Sequence, residues 1–335
     1  MDIEYHYYIT YIIALRAGFD KEKAYKIAYS SQYTDDNNVS LTIRDDSHVP
    51  YINHISQTMD ITKPEERLLR IHPFFHFFPG NTKEIVNAPP RSDGKLHLLN
   101  TIPGNSNALK LMNWALKSEN LYNIGIATHM FADTYAHQNF AGFKDAFNSM
   151  KGILESLIPN VGHADAKYAP DVPGKVWTDK RLTSAFKKIN NNVRFLDASE
   201  QIYGLFRLKL NPGYPKDKLS KEKIKIRAEL ESGIGTPEKP NKDKSARLRK
   251  YLELIGDDLV SGYKENAWFK AAVRVKAVGT TIGTGNIERE YLWKENYRDS
   301  DWFHFQEAVK AHQRKTEEIL EPIFNKMEVK ELDIW

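Results

Sequence analysis

The segment ATHMFADTYAHQNF carries His129, Asp133 and His137 at intervals of four residues. On an α-helix that interval stacks the three side chains on one stripe, with successive Cα atoms about 6 Å apart along the axis. Two imidazoles and a carboxylate on one stripe can chelate one metal ion or bridge two. Ala132 and Ala136 flank the stripe and leave room for another element to come close. The same spacing also suits a solvated polar face or a buried histidine held by a carboxylate. Spacing alone does not choose between these.

Four further groups have the right chemistry. His6 stands in the strongly apolar run YHYYITYIIALRA, an odd place for an unpaired polar ring. His76 stands between aromatics in FFHFFPG. Asp35 and Asp36 close a helical pattern in SQYTDDNN, where an acidic pair opposes the helix dipole and a bound cation would relieve it. His163, Asp165 and Asp171 share the Gly/Pro loop VGHADAKYAPDVPG, and polar residues in such loops often serve a site. Taken singly, each has a plain alternative as a core histidine or a solvated acidic turn. All but two of the histidines, His304 and His312, lie in residues 1–163.

The elements that must position these groups read mainly as helices. Residues 5–17 end at Gly18, and 20–31 open on Asp20 as N-cap, with Ala24, Ile27 and Ala28 at helical spacing. Residues 37–62 read as loop with a short hairpin, and 71–80 as an aromatic segment ending in a Pro-Gly turn. Helices are expected at 106–117, 119–137, 143–157 and 180–207, with a Gly/Pro loop over 159–177. The stretch 211–246 is rich in Lys, Pro and Gly, with a short helical patch near 220–231. Amphipathic patterns follow at 244–273 and 300–326. The expected organisation is a helical metal-binding core over 1–210, a flexible Lys/Pro-rich insertion over 211–245, and C-terminal helices over 246–335 that pack on the core.

Composition bounds the chemistry. The chain has 335 residues, 41% of them apolar, enough for a sizeable core. Lys and Arg number 48 against 44 Asp and Glu, a balance too even to argue for nucleic acid or membrane by itself. Cysteine is absent, so a metal site must use His, Asp, Glu or backbone ligands. Asp2 and Glu4 stand where a signal peptide would be basic, and no run of about 18 apolar residues occurs. These features fit the cytosol, or export without a cleaved signal peptide.

The order of the pieces resembles the zinc-dependent phospholipase C superfamily, which includes the fungal single-strand-specific zinc nucleases. In that family an early histidine is followed by an aspartate, a histidine beside aromatics, a His-x-x-x-Asp helix with a later histidine, and a last histidine with an acidic partner. The matching residues are His6, Asp35 or Asp36, His76, His129 and Asp133, His137, and His163. The first half is also similar to a bacterial group of unassigned function with comparable YHYY, SQYTDD, FHFFPG and HMFADTYAHQNFAG segments. The resemblance covers roughly residues 1–175. It departs at three points. The family's N-terminal amine ligand is replaced here by the Met1 amine, Asp2 or Glu4, or its ion is missing. The Asp133–His137 interval is shorter than in the secreted bacterial lipases. Lys167 stands where the last acidic ligand belongs, so Asp165 or Asp171 has to substitute.

The resemblance implies a mainly α, multi-helix phospholipase C-like bundle with irregular insertions. It also implies two or three Zn2+ ions held by His6, Asp35, Asp36, His76, His129, Asp133, His137, His163 and Asp171. The implied activity is hydrolysis of a phosphodiester, with Asp35 or Asp36 as the carboxylate that orients or deprotonates water. The substrate is a phosphoester such as a phospholipid, or alternatively a nucleic acid or nucleotide. Tyr5, Tyr33, Phe75 and Phe77 are candidates for an apolar wall. A phosphohydrolase with adjacent His-Asp ligands is disfavoured, since no His-Asp dipeptide occurs. The non-enzymatic alternative is a metal-stabilised interaction protein using the same fold.

Overall fold

The structure is a computed structural model and describes residues 1–44, 50–58, 69–150, 160–280 and 287–327. The fold is mainly α. The first helices begin and end where their terminal residues dictate. A buried π-turn, Glu4–Ile9, runs directly into α1 (Thr10–Ala17). Gly18 ends α1 with φ +111°, a left-handed conformation that costs glycine little. The Asp20 carboxylate then accepts the Lys23 N–H at 2.9 Å and opens α2 (Lys21–Asp36).

A hairpin follows, β1 (Thr42–Arg44) against β2 (Pro50–Ile52). Next come α3 (Ile71–Phe75), α4 (Thr82–Val86), α5 (Ser106–Lys117) and α6 (Leu121–Ala136). The short antiparallel pairs β3 (Lys144–Asp145) with β4 (Asn160–Val161) and β5 (Val176–Thr178) with β6 (Lys188–Asn190) bracket a loop region. The long helix α7 (Asn191–Leu210) closes this half.

Helix α6 sits at the centre. It packs on α2, α3, α5, α7 and on the C-terminal helix, and nearly all of its residues are buried. Its closest neighbour is α2. A Cβ on Gly125 would stand 2.4 Å from the Ser30 Cβ and 2.5 Å from the Ile27 carbonyl oxygen, so only glycine allows this approach. That approach matters for function, because α2 carries Asp35 and α6 carries His129 and Asp133.

The second half departs from the sequence expectation in three places. Within the stretch read as an irregular insertion, the short helical patch expected near 220–231 extends to the 19-residue helix α8 (Lys216–Ile234). Its Lys, Glu and Arg residues are good helix formers, and Ile226, Leu230 and Ile234 recur at four-residue spacing and are buried. The amphipathic stretch 244–273 is not one helix. It splits into α9 (Lys244–Ile255), which stops at Gly256 with φ +59°, and α10 (Ala267–Ala272). Unexpected strands β7 (Val273–Thr280) and β8 (Ile287–Trp293) then form a hairpin, and β8 pairs parallel with β1 to give the sheet order β2-β1-β8-β7. The last helix, α11 (Asp301–Met327), matches the pattern read over 300–326.

Residues 144–148, expected to be helical, form β3 and a 3-10 turn, because the Asp145 side chain caps the Phe147 N–H and starts a turn there. The remainder of the helix expected over 143–157 lies outside the described residues from 151 on, as do Asp45 and Asp46 of the expected loop. The π-turn is pinned from the other half of the chain. Arg247 on α9 makes a bidentate bond to Glu4, both at 2.7 Å, with both side chains essentially fully buried. Among the described residues no helix is long and apolar enough to cross a membrane.

Candidate metal centre

Five separated pieces of chain meet at the buried end of α6. The π-turn delivers His6, whose ring stacks on His129 with centroids 3.8 Å apart. A π-turn carries an extra residue within one helical turn, and such turns recur at functional sites. The last turn of α2 delivers Asp35. The residue after α3 is His76. Helix α6 supplies His129 and Asp133, and His137 is its C-cap residue. The loop before β5 supplies His163 and Asp171.

Asp133 is the hub. Its Oδ1 lies 3.2 Å from His6 Nε2, and its Oδ2 lies 3.3 Å from both His76 Nδ1 and His129 Nε2. Asp35 faces the same rings, with Oδ1 3.6 Å from both His76 Nδ1 and His129 Nε2. A second group lies alongside. The His137 Nε2 is 2.9 Å from Asp171 Oδ1, and the His163 Nε2 is 3.3 Å from Asp171 Oδ2. The N-terminal amine bonds Asp133 and lies 3.4 Å from Asp171, between the two groups. In each of the sets His6/His129/Asp133, Asp35/His76/His129 and His137/His163/Asp171, potential ligand atoms lie within 4.8 Å of one another.

Four of these histidines share one arrangement. His129 Nδ1 lies 2.7 Å from the Ser31 carbonyl, His76 Nε2 2.9 Å from that of Ser56, His137 Nδ1 2.7 Å from that of His76, and His163 Nδ1 2.7 Å from that of Lys167. A carbonyl only accepts, so each ring donates from that nitrogen and turns the other toward the carboxylates. This is the outer-partner arrangement that fixes the tautomer of a metal-binding histidine. The Ser56 carbonyl is itself held in place. Asn37, which caps α2, donates to the His54 carbonyl and to Ser56 Oγ, and Ser56 Oγ donates to the Thr34 carbonyl.

The electrostatics follow from burial and crowding. Burial opposes charge on Asp133, but His137, the terminal amine, His129 and His6 outweigh it and hold the carboxyl well below its usual range. Asp171 is likewise depressed despite burial, by His163, the terminal amine and His137. Burial, with His129 and the terminal amine nearby, pushes His6 down to about 3. Both carboxylates are therefore ionised and His6 is neutral at neutral pH.

The sequence-derived residues sort as follows. His6, Asp35, His76, His129, Asp133, His137, His163 and Asp171 come together. Asp36 does not. Consecutive helical residues point about 100° apart, so only one of the acidic pair can face the rings. The Asp36 carboxylate instead accepts from Tyr263 at 2.5 Å and from Gln32 at 3.2 Å. Asp165 accepts from the Met150 N–H, so Asp171 is the acidic partner of His163. His137 leaves the stripe because it caps the helix with non-helical dihedrals, and it joins the second group. Of the aromatics expected as a wall, Phe77 alone lines the cleft. Tyr5, Tyr33 and Phe75 are core.

The cleft above the cluster holds about 450 Å³ and is walled by Asp35, Phe77, Lys167 and Asp171 among others. Sequence reading passed over one histidine in this wall. His72 is buried, lines the cleft, and shares the four-residue spacing with His76 that singled out His129 and Asp133. That interval was the signal available to find it. Burial, with His76, His163 and His137 nearby, lowers its pKa to about 3. His312 on α11 was also passed over. It stacks on Phe75 behind the cluster, with centroids 4.8 Å apart.

The chain belongs to a family of unknown function, DUF6765, whose model matches residues 1–320. No curated protein and no solved structure matches it.

Proposed function

We propose that this member of the family is a metal-dependent phosphoester hydrolase of the zinc phospholipase C type. The observation that carries the reading is the convergence of histidine nitrogens, each freed by a carbonyl bond on the far side of its ring, onto the buried Asp133 and half-buried Asp171 carboxylates. Such a donor set, all nitrogen and carboxylate oxygen, suits zinc. His6, with both ring nitrogens buried and without hydrogen bonds, fits the same account. One ion would be held by His6, Asp35, His76, His129 and Asp133. A second would be held by His137, His163 and Asp171. The order of these residues along the chain matches the family resemblance, apart from Asp36.

Divalent ions held there supply the Lewis acidity and positive charge that phosphoryl transfer to water requires. The chain's own groups do the rest. Asp35 is the most exposed carboxylate of the first group, at 27%, and stands at the cleft, so it is placed to take the proton of the attacking water. Asp133 is sealed at 1% exposure and acts as a fixed negative charge. Phe77 stacks on His137 with centroids 4.5 Å apart, which holds that ring and keeps one wall apolar. The reaction adds water across the phosphorus–oxygen ester bond, and the departing oxygen leaves with a proton.

The test is zinc analysis of protein purified without chelator or affinity metal, with assays on a chromogenic phosphodiester, phosphatidylcholine and single-stranded DNA. The expected result is about two zinc ions per chain, one for each group. Asp133→Asn should lose zinc and lower activity by more than the roughly 10–100-fold that loss of an outer partner costs. A parent protein that holds no divalent metal, or one that holds zinc and cleaves none of the three substrates, overturns the reading. The lipid and DNA arms separate the phospholipase from the nuclease form.

A further inference from the structure

We propose that His72 is an anion-binding residue of the cleft, donating a ring N–H to a phosphoryl oxygen of the substrate. The assignment of that anion as a phosphate rests on the hydrolase reading above.

His72 lacks the partners that the other histidines of this wall have. It is 7% exposed, and neither ring nitrogen has a hydrogen-bond partner among the described residues. His76, His129, His137 and His163 each bond a backbone carbonyl and turn the other nitrogen to a carboxylate. His72 does neither and, unlike the equally unbonded His6, belongs to none of the three potential ligand sets among the described residues. It is therefore not arranged as a metal ligand, although it stands in the same wall.

A packing role alone does not account for the residue. Burying an imidazole with both nitrogens unsatisfied is costly, and a phenylalanine or leucine would fill the space beside Phe77 without that cost. Nor is the residue loosely held. Its carbonyl accepts from the His76 and Phe77 N–H groups, both at 2.9 Å. On the other side Gly142 presses on the backbone so closely that a Cβ there would stand 2.8 Å from Pro73 N and 3.0 Å from the His72 carbonyl carbon. The backbone is thus held on both sides, and the residue lines a cavity of about 450 Å³ with its ring nitrogens at the buried edge of that wall.

The chemistry of the cavity selects the ligand. A neutral imidazole always carries one N–H donor. The ionised carboxylates around it have no hydrogen to donate, so the hydrogen bonds to a phosphate must come from donors outside that set. His72 supplies one, and Lys167 brings a positive charge to the same wall. Placed beside the metal cluster, such a donor orients the phosphate and does not touch the ions.

The experiment measures binding of inorganic phosphate to the zinc-loaded protein by calorimetry, together with zinc stoichiometry and the split of kcat against KM. The variants are His72→Phe, His72→Ala and His72→Gln. The first two remove the donor, one keeping volume and one leaving a hole, so at least one folded donorless form is read. The third keeps an N–H. We expect full zinc content in all three, phosphate binding weakened about 10-fold or more in the donorless forms, and most of it restored in His72→Gln. Their loss should fall mainly on KM.

Unchanged phosphate affinity in a folded donorless variant overturns the proposal, as does loss of zinc, which would make His72 a ligand. A parent that binds no phosphate also overturns it. Phosphate binding is read without turnover. A parent that binds zinc and phosphate but cleaves no ester therefore overturns the hydrolase reading alone. A parent that cleaves esters while the donorless variants bind phosphate normally overturns the His72 assignment alone.

Discussion

His129 Nε2 and His76 Nδ1 face each other at 3.0 Å, while the opposite nitrogen of each ring bonds a backbone carbonyl. Since both carbonyls accept, two neutral rings would present lone pairs to one another. A proton or a metal ion must share that gap. Burial works against a proton on His129, but Asp35 and Asp133 outweigh it and hold its pKa above the usual value. Those two carboxylates favour a proton on His129 where no metal is bound.

Zinc binding should therefore release a proton, and zinc affinity should fall as pH falls, by up to about 10-fold per pH unit for each proton released. Calorimetric titrations of chelator-stripped protein in buffers of different ionisation enthalpy read this directly. Binding heats that do not depend on the buffer would rule out the protonated pair.

The acidic pair at the end of α2 should behave asymmetrically. Asp35→Asn removes a carboxylate that faces His76 and His129, so zinc content and activity should both drop. Asp36→Asn keeps the size and the acceptor used by Tyr263, so zinc content should stay at the parent value. Equal zinc loss in both variants, read by elemental analysis, would mean that Asp36 turns into the cluster after all.

Gly125→Ala tests the α2–α6 approach. The new methyl would meet Ser30 and the Ile27 carbonyl, and the helices would have to part. Overpacking of this kind costs about 1–3 kcal/mol. The urea midpoint should fall, and zinc affinity with it, because Asp35 and His129 ride on the two helices. An unchanged midpoint would show that the contact yields freely.

His312 gives a pH dependence of defined sign. Burial, with His129 and His76 nearby, takes its pKa from the usual 6.5 down to about 4, and the Phe74 carbonyl bond only partly offsets this. Between those values the unfolded chain binds a proton that the folded chain refuses. Stability from this residue is complete above pH 6.5 and is lost as pH falls toward 4, with a slope of at most about 1.4 kcal/mol per pH unit. His312→Leu should flatten the parent's loss of stability between pH 7 and 5, measured by urea unfolding with chelator present. Parallel curves for parent and variant would place the acid sensitivity elsewhere.

Sequence alone settled what local periodicity and end residues can settle. The span of α5, the Asp20 cap of α2, the Gly18 stop of α1 and the pattern of α11 depend on neighbours within a turn or two, and these were legible. The residue types of the cluster were legible too, because four-residue spacing and the absence of cysteine narrow the ligands before any fold is known. Rotation about a helix axis and pairing across the chain were not. Asp35 and Asp36 are equivalent in sequence, and only the docking of α2 on α6 turns one inward and leaves the other to Tyr263. His137 leaves its stripe because the helix ends there. Strand β8 finds a partner in β1, far back in the chain, which no local pattern announces. Helix α8 was masked by its lysines until its apolar stripe was seen to meet α7 and α9. His72 carried the right spacing in sequence, but that its two nitrogens lack partners among the described residues is visible only once the elements around the ring are packed.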